Sequence, residues 1–94
     1  MEENQLKRVP SSLKHCNKLR RLNLRHNQLT TLPDELGNIE NLLELDLRSN
    51  QLIELPQSLM RIEGLERLDL RWNPDLIVPN WLEKLEERGC IVYL

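Results

Sequence analysis

A 23-residue repeat governs this sequence. Asn4, Asn27, Asn50 and Asn73 are evenly spaced at that period, and a proline follows each of them six positions later. A chain that repeats itself at a period of roughly 20–50 residues folds as a stack of similar coils, because each unit buries its apolar side chains only against its neighbours. We therefore predict a solenoid, whose function depends on the surface that it presents.

Apolar residues recur at fixed positions within this repeat. Counted from each Asn, positions +2, +5, +9, +12, +15, +18 and +20 are apolar in 26 of 28 cases. These columns are expected to face the core. In the fourth register they fall on Val78, Leu82, Leu85, Ile91 and Tyr93, and the two polar exceptions are Asp75 and Arg88.

The spacing of the apolar residues changes within each unit. Leu45 and Leu47 alternate with polar residues, as in a short strand with one buried face. Leu36 and Ile39 lie three positions apart, which suits a helical turn, and Pro33 before them is typical of a helix start. Each unit is therefore predicted to be a strand, a turn and a helical turn, with the strands stacked in a parallel sheet.

The segment Leu42-x-x-Leu45-x-Leu47-x-x-Asn50-x-Leu52 matches the signature of leucine-rich repeats position for position. The chain resembles that family, in particular the 23-residue repeats of the intracellular Ras-group type and their bacterial relatives. The resemblance implies an α/β solenoid with a concave parallel β-sheet, helical turns on the convex side, and a C-terminal capping helix and strand. It also implies an internal ladder of structural asparagines, formed by Asn4, Asn27, Asn50 and Asn73.

On its length the chain is one leucine-rich repeat domain, residues 1–94. We divide it into a partial repeat 1–18, repeats 19–41, 42–64 and 65–78, and a C-terminal cap 79–94. In the cap, Pro79–Arg88 is predicted to be a helix that ends at Gly89, followed by a last strand, Cys90–Leu94. Trp81 is expected to fold over the open end of the core.

The N-terminal edge of the sheet leaves two alternatives open. The first expected strand is Arg21–Arg25, and an uncovered edge strand invites pairing with another chain. Residues 1–26 carry a charge of +5 and residues 27–94 a charge of −7, so the two ends of the solenoid are expected to differ in sign. The chain is then either a segment of a longer scaffold that stacks or self-associates through this edge, or a monomer kept apart by basic residues there. These are Lys7, Arg8, Lys14, Lys18, Arg20 and Arg21.

The family resemblance implies that a protein partner binds the concave face. The residues expected there are Arg21, Asn23, Arg25, His26, Glu44, Asp46, Arg48, Arg67, Asp69, Arg71 and Trp72, with Ser49 beside them and Cys90, Val92 and Leu94 on the last strand. Arg25, Arg48 and Arg71 form one column, with Asp46 and Asp69 next to it. This strip is either a self-neutralising, solvated face or a docking surface for carboxylates or phosphates.

Trp72 stands out within this surface because its column otherwise holds small or polar residues. An exposed tryptophan beside an arginine is typical of an interface hot spot. The alternative is that Trp72 packs against Pro74 and shapes the last turn.

Composition and motifs favour a non-enzymatic module. The two histidines, His15 and His26, are expected on different faces of the repeat, and neither is expected to activate Cys16 or Cys90 as a nucleophile. We find no glycine-rich phosphate loop and no metal-binding spacing of His and Cys, so no cofactor is expected. Nucleic acid is not favoured as a partner, because acidic residues interleave the arginines and the pI is about 5.7.

The same sequence indicates where the protein works. It has no apolar run long enough to span a membrane and no apolar core near its start that would serve as a signal peptide. Two unpaired thiols fit a reducing compartment. We therefore expect a cytoplasmic protein whose partner is another protein, acidic or phosphate-bearing.

Overall fold

The structure, a computed structural model, describes residues 18–94. These form four strands, two 3₁₀ helices and one α-helix, in an order that repeats with each coil. The strands are β1 (Arg21–Asn23), β2 (Glu44–Asp46), β3 (Arg67–Asp69) and β4 (Ile91–Tyr93), the 3₁₀ helices are Asp34–Asn38 and Gln57–Arg61, and the α-helix, α1, is Leu82–Glu87. The predictions for Asn4, Cys16, the basic residues before Lys18 and most of the partial repeat lie outside the described residues.

The four strands form one parallel sheet in the order β1-β2-β3-β4. Leu22 pairs with Leu45, and Leu45 pairs with Leu68, so the register advances by one full repeat from each strand to the next. This register follows from the repeat, because a slip by one position would turn every leucine of a strand towards solvent. The predicted solenoid with a parallel sheet is confirmed.

The core is a continuous stack of leucine and isoleucine side chains behind the sheet. The columns of the second and third repeats are buried along their full length. Each fully buried side chain of this size stabilises the fold by about 2 kcal/mol through removal of apolar surface from water. The least exposed members are Leu24, Leu29, Leu36, Ile39, Leu42, Leu45, Leu47, Leu52, Leu59, Ile62 and Leu68.

The predicted helical turns are short 3₁₀ helices on the side opposite the sheet. In the first of them the amide of Leu36 donates to the carbonyl of Pro33 at 3.2 Å, and the amide of Ile39 donates to the carbonyl of Leu36 at 3.2 Å. The two 3₁₀ helices pack closely at Gly37, where an added Cβ would lie 2.8 Å from the carbonyl carbon of Ser58. Glycine is therefore required at this contact because any side chain would overlap the next coil.

The C-terminal cap contains the predicted helix, although it is shorter than expected. It spans Leu82–Glu87 and follows a turn rather than beginning at Pro79. Gly89 has a φ of +94°. Its amide donates to Glu86 at 3.0 Å, and the amide of Cys90 donates to Leu85 at 3.0 Å. These two bonds are the Schellman arrangement that ends helices at a left-handed glycine.

The register of β4 differs from the prediction by one position. Leu68 pairs with Val92, whereas an exact continuation of the repeat would pair it with Ile91. Cys90 is therefore buried at 4% exposure and Val92 packs against the core, whereas Ile91 is 51% exposed and Tyr93 lies opposite Asp69. The assignment of Cys90 and Val92 to the concave face was wrong, because the helix and its glycine cap add one position and side chains alternate with a period of two.

Two other predictions for the last coil meet different outcomes. Val78, expected in a core column, is 51% exposed. Trp81 is partly buried and packs against the core, as expected for a side chain that closes the end of the stack. The last coil therefore leaves more apolar surface in contact with solvent than the coils before it.

Candidate functional site on the concave face

The concave face presents three columns of polar side chains. Burial of Leu22, Leu45 and Leu68 turns their neighbours on each strand outwards. By strand pairing, the first column is Arg21, Glu44, Arg67 and Ile91, and the second is Asn23, Asp46, Asp69 and Tyr93. The third column follows the strands and holds Arg25, Arg48 and Arg71. Backbone hydrogen bonds join the successive coils that carry this column: the amides of His26 and Ser49 donate to the carbonyls of Arg48 and Arg71.

Glu44 holds the first column together. Its carboxylate lies 2.8 Å from Nε of Arg21 and 3.3 Å from Nη1 of Arg67. Both arginines are largely exposed, so each pair stabilises the fold by less than about 1 kcal/mol. Glu44 nevertheless separates two like charges that the repeat places on neighbouring strands.

The second and third columns are joined by a network of ion pairs. The carboxylate of Asp46 accepts from Nε and Nη2 of Arg48 at 3.0 and 2.7 Å. The carboxylate of Asp69 binds Arg71 in the same forked way, at 3.0 and 2.7 Å, and also lies 3.3 Å from Nε of Arg48. Forked arginine–carboxylate pairs fix the orientation of the guanidinium plane. The guanidinium groups of Arg48 and Arg71 are therefore held in a fixed orientation by the protein itself.

The aspartates also shape the turns that follow the strands. Asp46 and Asp69 each accept a hydrogen bond at 3.2 Å from the backbone amide two positions later, as Asn23 does at 3.1 Å. Asp and Asn are suited to this turn because their short side chains reach their own backbone. Each of these residues therefore has a structural role besides its place on the surface.

The charges of this network shift two pKa values. Burial opposes ionisation of Asp46, but hydrogen bonds from Arg48 and the charges of Arg48 and Arg25 outweigh it and hold the pKa of that carboxyl below its usual value. The hydrogen bond to Asp69 raises the pKa of Arg71 further above its already high value. Both shifts favour the charged forms of Asp46 and Arg71.

The polar columns enclose an open cleft of about 660 Å³. Charged side chains line most of it, with Leu22, Leu45, Asn23 and Tyr93 between them. Its five arginines and three carboxylates give a local charge of +2 (Arg21, Arg25, Arg48, Arg67 and Arg71 against Glu44, Asp46 and Asp69). The whole chain has a charge of −2, so the cleft is a positive surface on a negative protein.

An aromatic pair flanks the last arginine of the column. The guanidinium carbon of Arg71 lies 5.6 Å from the ring centre of Trp72 and 5.0 Å from that of Tyr93. These distances are within the range of cation–π attraction. Sequence reasoning did not find Tyr93, because the consecutive apolar residues Cys90–Leu94 carry no alternation from which to read a register. The signal that could have found it is Gly89, which lengthens the last coil.

Trp72 has an unusual backbone conformation. His26, Ser49 and Trp72 occupy equivalent positions, and their φ values are 58°, 57° and 63°. This left-handed region is costly for bulky residues and is tolerated best by glycine and asparagine. The side chain of Trp72 is 64% exposed. Trp72 and Pro74 also line a second, smaller cleft.

The predicted ladder asparagines lie inside the turns. Asn50 donates to the carbonyls of Leu24 and Leu47 at 3.0 Å, and its side-chain oxygen accepts from the amide of Leu29 at 3.2 Å. Asn73 repeats this pattern one coil later, and Asn27 donates to Leu24 at 2.8 Å. All three are buried. Asn50 and Asn73 satisfy backbone groups of two coils at once. Burial and these bonds leave the three asparagines unsuited to binding a ligand.

Two further properties concern the part of the chain that the structure describes. Within residues 18–94 there is no group of three or more His, Cys, Asp and Glu side chains that could hold a metal ion. In the same range, no helix has the length and apolar character needed to cross a membrane.

The geometry of the repeats agrees with comparisons with known proteins. The family model for the leucine rich repeat matches residues 18–74. The chain belongs to the leucine-rich repeat family. Repeats of this family form modules of the protein-interaction type and are typically scaffolds rather than catalysts.

A solved structure gives the same result for the fold. A leucine-rich repeat protein from Leptospira interrogans superimposes with a TM-score of 0.81 at 29% sequence identity and covers 97% of this chain. The chain spans only 23% of the length of that protein. The comparison with curated proteins finds none that matches.

Proposed function

We propose that this protein is a non-enzymatic interaction module that holds an acidic or phosphate-bearing protein partner on its concave face. The observation that carries the proposal is the fixed orientation of two guanidinium groups in the arginine column, those of Arg48 and Arg71. Asp69 engages one edge of the Arg71 guanidinium through Nε and Nη2. The Arg71 side chain lines the cleft and is 40% exposed. A guanidinium held in this way loses little entropy when it binds a second carboxylate or a phosphate.

The charge of the cleft supports the same partner chemistry. A local charge of +2 on a protein of charge −2 favours approach of an acidic segment to this face rather than to the remaining surface. Binding through exposed arginines is expected to weaken as ionic strength rises, because the Debye length falls to about 8 Å at 0.15 M salt. Binding that is insensitive to salt would count against charge as its origin.

A matched pair of charge reversals tests the proposal. Arg67 lies on the concave face and contacts Glu44 at 3.3 Å, and Arg61 lies on the second 3₁₀ helix and contacts Asn38 at 3.2 Å. The substitutions Arg67→Glu and Arg61→Glu change the net charge equally, on opposite sides of the protein. We expect Arg67→Glu to weaken partner recovery about tenfold and Arg61→Glu to leave it unchanged.

Quantitative affinity capture from the native source, read by mass spectrometry, measures this difference. Arg71→Gln, which keeps hydrogen-bonding ability but removes the charge, provides a second variant should Arg67→Glu fold poorly. Equal recovery with the Arg67 and Arg61 variants, at equal thermal stability, would remove the support for concave docking.

A second candidate function is that of a segment in a longer repeat scaffold that stacks through its N-terminal edge. The observation in its favour is that β1 pairs only with β2 among the described strands, and that the matching Leptospira protein is much longer than this chain. Sedimentation velocity over a range of protein and salt concentrations tests it. A monomer under all conditions would leave self-association without support.

A further inference from the structure

A second, apolar cleft lies at the C-terminal end of the solenoid, beside the concave one. It has a volume of about 330 Å³, and its lining is mostly apolar: Leu70, Trp72, Pro74, Leu76, Val78 and Leu94, with Asn73. Three of these side chains, Trp72, Val78 and Leu94, are among the most exposed large hydrophobic residues of the described chain. Scattered exposed apolar residues are ordinary on a protein surface, but a contiguous group around a depression indicates a binding site.

The two clefts meet at Arg71 and Trp72. Arg71 lines the concave cleft, Trp72 lines the apolar cleft, and the guanidinium carbon of Arg71 lies 5.6 Å from the ring centre of Trp72. A segment whose anionic group binds Arg71 can therefore place a neighbouring side chain against Trp72.

The residue at this junction is not the one that backbone geometry favours. Trp72 has the left-handed conformation that is held by His26 and Ser49 in the two preceding coils. Tryptophan is a poor residue for this conformation, which typically costs a non-glycine residue on the order of 1–2 kcal/mol. A bulky, exposed and strained residue persists at such a position when its side chain has a function that smaller residues do not supply.

We infer that the partner's binding segment carries a carboxylate or phosphate together with a large apolar side chain close to it. The anionic group pairs with the guanidinium of Arg71, and the apolar side chain enters the cleft between Trp72 and Leu94. This inference rests on the proposed function and specifies the chemistry of the same partner. Charge alone would leave the apolar cleft empty, and the apolar cleft alone would leave the ordered guanidinium unused.

A phage-displayed library of random dodecapeptides supplies the probe. Selection on the immobilised wild-type protein is expected to enrich peptides in which Asp or Glu stands within a few positions of Leu, Ile, Phe or Trp. The enriched peptides are then synthesised with a fluorescent label, and their affinities for four proteins are measured by polarisation. The proteins are the wild type, Trp72→Ser, Ile77→Ser and Arg67→Glu.

The substitutions separate the apolar anchor from the charge. Serine at position 72 suits the left-handed backbone, since Ser49 already holds it. Ile77 is as exposed as Trp72 but lines neither cleft, so Ile77→Ser is the control for loss of an exposed apolar side chain. We expect Trp72→Ser to weaken binding about tenfold or more and Ile77→Ser to leave it unchanged.

The outcomes distinguish failure of this inference from failure of the proposed function. Acidic peptides that need Arg67 but bind wild type and Trp72→Ser equally would overturn the apolar anchor and leave concave docking in place. Apolar peptides without acidic residues, or enriched peptides insensitive to all three substitutions, would overturn both. Loss of binding with Trp72→Ser and with Arg67→Glu, for peptides that carry both groups, supports the inference.

Discussion

The turn after β2 and the turn after β3 share a backbone but differ in their surroundings. In the first, the amide of Ser49 donates to the carbonyl of Arg71, and the amide of Leu52 donates to the side-chain oxygen of Asn73, so the next coil covers the turn. In the second, Trp72 replaces serine and stands beside an exposed apolar cleft. The same repeat thus produces a structural turn in the middle of the stack and a candidate binding surface at its end.

The middle coils and the last coil differ in how far other coils cover them. A middle coil packs between two others, and exposed side chains of its strand form ion pairs such as that of Arg48 with Asp46. Within residues 18–94 the last coil packs against one other coil, so its side chains are less constrained by packing. The following predictions test this contrast, from the largest expected effect to the smallest.

A leucine of the middle coils and a leucine of the last coil should differ most. Leu47 is fully buried and Leu94 is 66% exposed. Leu47→Ala is expected to lower the free energy of unfolding by about 2–5 kcal/mol, because it removes buried apolar surface and leaves a cavity. Leu94→Ala should change it by less than about 0.5 kcal/mol. Urea unfolding followed by circular dichroism measures both, and equal effects would contradict the burial difference.

The asparagine ladder should be nearly as sensitive as the core. Asn50→Ala would leave the buried amide of Leu29 without its side-chain partner. It would also remove one of the two asparagine donors to each of the carbonyls of Leu24 and Leu47. Buried backbone groups that lose their hydrogen bonds cost about 1–3 kcal/mol. We expect destabilisation of that size in urea unfolding. Asn38→Ala, on an exposed asparagine of the convex side, is the control, and a similar loss there would show that the effect is not specific to the ladder.

Two glycines, Gly37 and Gly64, differ in how tightly their surroundings are packed. A Cβ at Gly37 would overlap Ser58 of the next 3₁₀ helix, whereas a Cβ at Gly64 would have its nearest neighbour, Leu43, at 4.0 Å. Gly37→Ala is expected to cost about 1–3 kcal/mol through overpacking. Gly64→Ala should leave stability unchanged or raise it by up to about 1 kcal/mol, because alanine restricts the unfolded chain. Thermal unfolding of the two variants measures their stabilities. A Gly64→Ala protein less stable than the Gly37→Ala protein would contradict the close contact at Gly37.

Substitutions at the equivalent positions of the two turns, Ser49 and Trp72, test the contrast directly. Trp72→Asn relieves the left-handed strain but loses the attraction between the ring and Arg71, which is about 0.5–1 kcal/mol at exposed sites. We expect stability to stay the same or to rise by up to about 1 kcal/mol. Ser49→Trp should instead lower it by about 1 kcal/mol. If Trp72→Asn were clearly destabilising, the tryptophan would be a packing residue rather than a binding residue.

The smallest expected effect is a pH dependence centred on Asp46. Its folded-state pKa lies below the usual value of 3.8. A carboxyl with a depressed pKa stabilises the folded state above its unfolded pKa, and this contribution is lost as the pH falls through the folded value. The difference in stability between the wild type and Asp46→Asn should therefore shrink below about pH 4. Unfolding curves of both proteins across this range measure it, and a constant difference would show that the ion pair with Arg48 does not contribute.

The sequence predicted the strands and register of the regular coils, but only part of the structure of the last coil. The alternation at Leu45 and Leu47 and the matched asparagines define the strand, its buried face and the register of its neighbours, because every coil repeats the same packing. The prediction failed at Ile91 and Tyr93, where all neighbouring residues are apolar and Gly89 adds one position to the coil.

The surface was predictable in composition more than in geometry. The sequence placed Arg25, Arg48 and Arg71 in one column beside Asp46 and Asp69. It could not show that Asp69 contacts two arginines, since such contacts depend on side-chain rotamers across strands. Nor could it show that Trp72 has a left-handed backbone and lines an apolar cleft with Leu94, because both depend on the folded geometry of the last coil.

The central claim is that a partner binds the concave face, and site-specific photo-cross-linking tests it most directly. The photoreactive amino acid p-benzoylphenylalanine replaces Tyr93, whose aromatic ring lines the concave cleft, or Arg61 on the convex side. After irradiation in the native source, the account predicts a cross-linked partner from position 93 and none from position 61. A cross-link that forms from position 61 but not from position 93 would contradict it.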